Sequence, residues 1–148
     1  MTRCTSMLLA GAALAAFGGC TILPVYQPAP GAKTVPVQVN KLARGNKQAC
    51  VGGQPYRLEP DDQGNVNLPL DERITLQSYF SWASGNMTYT CHPATSFVPR
   101  AGQNYTMVFE IEPENHSCTF RPYRQTTENR IGLDFEPTIG PPQACRKP

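Results

Sequence analysis

The chain lacks an apolar run long enough to cross a membrane. Its longest, Met7 to Phe17, is eleven residues, and a spanning helix needs about 20. An excess of one charge is also missing. Thirteen Lys and Arg stand against 11 Asp and Glu, without a charge run, so the electrostatic footprint of a nucleic-acid-binding protein is absent and no nucleic-acid partner is expected. Histidine is scarce, with two residues. No G-x-S-x-G, S-x-x-K or H-E-x-x-H pattern occurs, so the sequence predicts a non-enzyme without cofactor or metal. No stretch keeps a helical period, and there is no internal repeat. What the chain has in quantity is proline (15) and glycine (12), which punctuate it with turns. Between them lie short segments rich in Val, Ile, Thr, Tyr and Phe, the pattern of an all-β domain.

Arg3 precedes the apolar run, which closes on Gly18-Gly19-Cys20. A positive start, a short apolar core and small residues form an export signal. With a cysteine directly after the small residues, the segment resembles a bacterial lipoprotein signal peptide with its lipobox, Phe17 standing where Leu is usual. The resemblance implies that residues 1–19 are removed and that Cys20 becomes the lipidated N-terminus. Thr21, rather than Asp, then implies the outer membrane of a Gram-negative cell, with the domain facing the periplasm and surface exposure left open. Several acyl chains, palmitate among them, anchor stably where a single chain is marginal. The rival is ordinary cleavage after Ala13-Leu14-Ala15, giving a secreted soluble protein. Cysteine arithmetic separates the two. The six cysteines are 4, 20, 50, 91, 118 and 145. Cleavage before a lipidated Cys20 leaves an even set of four, whereas cleavage after Ala15 leaves an odd thiol in an oxidising compartment.

Residues 20–36 read as the lipidated cysteine and a tether. Pro24, Pro28, Pro30 and Pro36 favour an extended form, and at about 3.1 Å per residue the tether reaches roughly 50 Å. The alternative places Val35, Val37 and Val39 in an edge strand, where Pro36 is tolerated. The folded domain is expected over residues 37–148. Within it, Tyr56-Arg57-Leu58 and Ser96-Phe97-Val98 are short strands. Arg73–Phe80 buries Ile74, Leu76, Ser78 and Phe80, and Met87–Cys91 follows the Ser84-Gly85-Asn86 turn. Tyr105–Glu112 buries Tyr105, Met107, Phe109 and Ile111. After a turn at residues 113–116, Ser117–Tyr123 puts Cys118 and Phe120 on one face. Residues 73–123 thus read as a meander, and Ile131, Leu133 and Phe135 as one more strand.

Inward cysteines on strands flanking one long strand favour a Cys91–Cys118 bridge, leaving Cys50–Cys145 to staple the start of the domain to its end, although four cysteines allow three connectivities. A competing use of Cys91, His92, His116 and Cys118 as zinc ligands has neither finger nor ribbon spacing. Asn86, Asn104 and Asn115 begin sequons that mark surface positions. Asp61-Asp62 reads as a turn, and Glu110 with Glu112 as a solvated strand face. Tyr79, Phe80, Trp82 and Tyr89 are the one aromatic group that hints at recognition.

Residues 71–123 resemble small Gram-negative envelope lipoproteins of unassigned role. The resemblance lies in Gly85 to Cys91, in the F-x-P-x-A-G-x-x-Y stretch of Phe97, Pro99, Ala101, Gly102 and Tyr105, and in the second cysteine, Cys118. The expected fold is a small antiparallel β-sandwich, Ig-like or transthyretin-like, stapled by disulfides. The expected role is a non-enzymatic binding or structural module of the cell envelope, tethered to the membrane through Cys20 and meeting an envelope protein. The alternatives are an inhibitor or ligand-capture module against an envelope-active enzyme, or a subunit of a secretion or pilus machine.

Overall fold

Apolar alternation with period 2, broken by Gly and Pro, builds strands that bury one face each. The computed structural model describes residues 22–39, 46–112 and 117–145. Among these it is all-β, without a helix, and its ten strands are β1 (Thr34–Val39), β2 (Asn46–Val51), β3 (Gln54–Arg57), β4 (Asn65–Pro69), β5 (Ile74–Ser84), β6 (Met87–Cys91), β7 (Ala94–Phe97), β8 (Tyr105–Glu112), β9 (Ser117–Gln125) and β10 (Leu133–Phe135). They form two sheets. The first has the order β10-β9-β8-β1-β4; in the second β3-β2-β5 continues to β6, with β7 also on β5. β7 pairs with residues 74–77 of β5 and β6 with residues 80–84, so the two short strands lie end to end along it.

One core joins the sheets. Val35, Val37, Val39, Val66, Leu68, Tyr105, Met107 and Phe120 come from the first, and Ala49, Ile74, Leu76 and Phe97 from the second. Ring contacts cross between the layers at Phe97–Tyr105 (5.2 Å) and Phe80–Phe109 (5.6 Å). The chain is therefore a two-layer β-sandwich, and residues 73–123 are not a meander. β6 and β7 both return to β5, and the chain then crosses to the other sheet for β8 and β9. The crossing is the F-x-P-x-A-G-x-x-Y stretch. Tyr105 is buried, its hydroxyl accepts the Arg100 N–H (2.9 Å), and Gly102 supplies φ +74° at the turn, a conformation glycine adopts without steric cost.

The domain begins before Val37. β1 starts at Thr34 and is an inner strand, antiparallel to β4 and parallel to β8. Its odd-numbered residues turn their backbone groups to the β4 side, as the Val39 N–H to Gly64 O bond shows (2.8 Å). The missing Pro36 donor therefore faces β8, where pairing begins only at Val37 with Tyr105. That is how an inner strand accepts a proline without losing a ladder bond. The expected 20–36 tether is corrected further upstream. Val25 makes a parallel bridge to Arg57, with Tyr26 N–H to Arg57 O (2.9 Å) and Arg57 N–H to Pro24 O (2.8 Å). At the other end β10 is short, and Ile131 and Phe135 are exposed rather than buried.

Candidate functional site

Two bridges close the domain. Cys50 is bonded to Cys145 and Cys91 to Cys118, with Cα separations of 5.6 and 6.4 Å. The second joins β6 of one sheet to β9 of the other, beside the Phe80–Phe109 contact. It consumes both thiolates that zinc at Cys91, His92, His116 and Cys118 would require. His92 instead packs its ring on Tyr79 (4.5 Å), and His116 lies outside the described residues. Among the described residues, no three His, Cys, Asp or Glu side chains gather as a metal site. Cys20 lies outside the described residues too, as does the Trp82 side chain.

The first bridge completes a strap that sequence reading missed. Thr75 and Ser96 fall on the outer face of their sheet by alternation, yet both are buried. Register puts Cys50, Thr75 and Ser96 in one row across β2, β5 and β7, and each holds a residue of the C-terminal segment. The Ser96 hydroxyl donates to Pro141 O (2.7 Å), Gln143 N–H donates to Thr75 Oγ1 (2.8 Å), and Cys50 is bonded to Cys145. Gly140 pairs its backbone with Ser96 in both directions, and Arg73 Nη1 donates to Ser96 Oγ and Thr138 O (3.0 Å each). The buried Glu136 carboxylate starts the strap, accepting from the Thr138 N–H (2.9 Å) and hydroxyl (2.6 Å) and facing Arg124 at 3.9 Å. Two prolines at 141–142 keep the segment extended where it crosses the sheet. The one sequence signal for this crossing was a cysteine three residues from the end of the chain.

The outer face of the first sheet is the candidate recognition surface. Asn65, Gln38, Thr106, Tyr123 and Phe135 form one cross-strand row spanning all its strands. Gln125 Nε2 donates to Thr106 Oγ1 (2.8 Å), which in turn meets Gln38 Oε1 (3.3 Å). Over them opens a groove of about 780 Å³, rimmed by residues 102–104 and 126–128, with Glu128 as a carboxylate on its lining. Tyr123 and Phe135 stack alongside at 5.4 Å, and Phe135 is 64 % exposed. Amides, hydroxyls and an exposed ring suit recognition of a polar partner by hydrogen bonds and stacking.

The aromatic group expected to hint at recognition is divided. Phe80 packs on Phe109 between the sheets, while Tyr79 and His92 border a smaller pocket of about 230 Å³ with Asn46 and Gln48. Inside the sandwich, Ser78 stands opposite Lys47 in register. Burial pushes the Lys47 ammonium below its ordinary value, but the buried Ser78 hydroxyl has no hydrogen-bond partner among the described residues. A base-activated nucleophile needs that bond. Asp61 caps its turn by accepting from Gln63 N–H (2.9 Å) and Asn65 N–H (2.8 Å). Glu110 and Glu112 are exposed on β8, beside Thr119 and Ser117 of β9.

No protein-family model matches the chain, and no match is found among curated proteins or solved structures. No helix among the described residues is long and apolar enough to cross a membrane.

Proposed function

We propose that the chain is a lipoprotein of the Gram-negative outer membrane, anchored through acyl chains on Cys20, whose disulfide-stapled sandwich acts in the periplasm as a non-enzymatic binding or structural module. One observation carries this reading. The four cysteines of the domain are consumed by two bridges, which is the state of an oxidising compartment. Of the six cysteines, this leaves Cys4, inside the export signal, and Cys20, at the lipobox position. The amide-rich groove of the first sheet is the surface offered to an envelope partner. In fractionated cells, Cys20→Ala is expected to move the protein from the membrane pellet to the soluble fraction and to abolish incorporation of labelled palmitate. Retention of the variant in the pellet would refute the anchor. Crosslinking of the lipidated protein in its native envelope then identifies what meets the groove.

A further inference from the structure

We propose that the end of the sandwich carrying the β2–β3 turn rests directly on the bilayer, so that the domain stands on the membrane instead of hanging from a long tether. This rests on lipidation of Cys20. Among the described residues, the chain is first held at Pro24, Val25 and Tyr26, against Arg57. From Cys20 to Pro24 is four residues, about 14 Å when fully extended, against the roughly 50 Å of a free 16-residue tether. The direction is set as well. The bridge is parallel, so tracing back from Val25 runs toward the Gly52-Gly53 turn and brings Leu23 level with Pro55. Ile22, two residues from the anchor, is 83 % exposed, an apolar side chain placed for the headgroup boundary.

The C-terminal strap arrives at the same place. Cys145 is bonded to Cys50, which pairs with Pro55 beside the β2–β3 turn. The acids nearby are engaged: Asp71 pairs with Arg100 (2.6 Å), and Glu72 accepts the Gly52 N–H (2.5 Å). β5 leads away from this end, from Ile74 to Ser84. At about 3.3 Å per residue it carries the Gly85-Asn86 turn roughly 33 Å further out.

The test uses the full mature protein, lipidated in cells and reconstituted into phosphatidylethanolamine–phosphatidylglycerol vesicles that carry a headgroup-linked energy acceptor. A fluorescent amino acid replaces Gln54 in one preparation and Asn86 in another. The Gln54 probe is expected to lose most of its emission and the Asn86 probe almost none. Inserting about ten Gly-Ser residues between Thr21 and Ile22, a span of ~17 Å, is expected to restore much of the Gln54 emission while vesicle binding persists. Equal quenching of the two probes on vesicle-bound protein, or no response to the insertion, overturns the proposal while leaving the anchor intact. Protein that lacks the acyl mass and fails to float with vesicles overturns the anchor itself, and the apposition with it.

Discussion

Replacing Ser96 with alanine removes one oxygen from the point where the C-terminal strap crosses the second sheet. That oxygen accepts from Arg73 Nη1 (3.0 Å) and donates to Pro141 O (2.7 Å), in a residue with no solvent exposure. A bond to a charged donor is worth about 1.5–3 kcal/mol net and a neutral one about 1. Arg73 keeps Thr138 O as an acceptor, which limits the loss, so the expected cost of Ser96→Ala is about 3 kcal/mol. Urea unfolding followed by circular dichroism measures it. The same substitution is then made in a Cys50→Ser/Cys145→Ser background. In the chain-entropy model the bridge, spanning 95 residues, contributes about 4.7 kcal/mol, so this background is measured in stabilising osmolyte. Without the covalent tie the strap is free to lift, and Ser96→Ala is expected to cost ~1 kcal/mol, a coupling of about 2. Equal costs in the two backgrounds would refute the view that bridge and hydroxyl hold one cooperative strap.

Two further outcomes follow from the core. Phe97→Ala empties a fully buried site against Tyr105 and should cost about 3–5 kcal/mol, read as a lower urea midpoint with an unchanged slope. Tyr105→Phe tests the alkaline limit. Burial holds the Tyr105 phenol above its ordinary value, against the opposing pull of the hydrogen bond from Arg100. Its neutral form thus adds stability that is fully present below the unfolded value near 10 and is lost as pH rises from there through the higher folded value. The lowered Lys47 acts in the opposite sense, adding stability as pH rises. Removing the hydroxyl should cost about 1 kcal/mol at pH 7 and make the decline above pH 10 shallower; an unchanged slope in thermal melts across that range would refute the assignment.

The strands that sequence reading located best are those whose apolar residues alternate cleanly, such as β8, where Tyr105 and Met107 are buried and Thr106 is not. β2 was missed because Asn46-Lys47-Gln48 offers little apolar pattern. Its place comes from pairing on both sides, with β3 and β5. β1 could be seen only as an edge strand, because the harm a proline does depends on which neighbour its missing donor faces, and that is a property of register. The strap left almost no local trace. Thr75 and Ser96 look like ordinary outward residues until a distant segment covers them. The groove was equally illegible, since Gln38, Thr106 and Gln125 meet only when β1, β8 and β9 lie side by side.

The pairing of β1 with β8 also governs when a chain that emerges N-terminus first can finish folding. Gln38 meets Thr106 across 68 residues, and Cys50 waits for a partner 95 residues later. Such a chain can close the β1–β4 pair and the β5–β6 hairpin early, but β8 must have emerged before the first sheet can close around β1. The cost of closing such long loops falls late. Until then only small, weakly held pieces of structure form, and the sandwich locks after nearly the whole polypeptide has emerged.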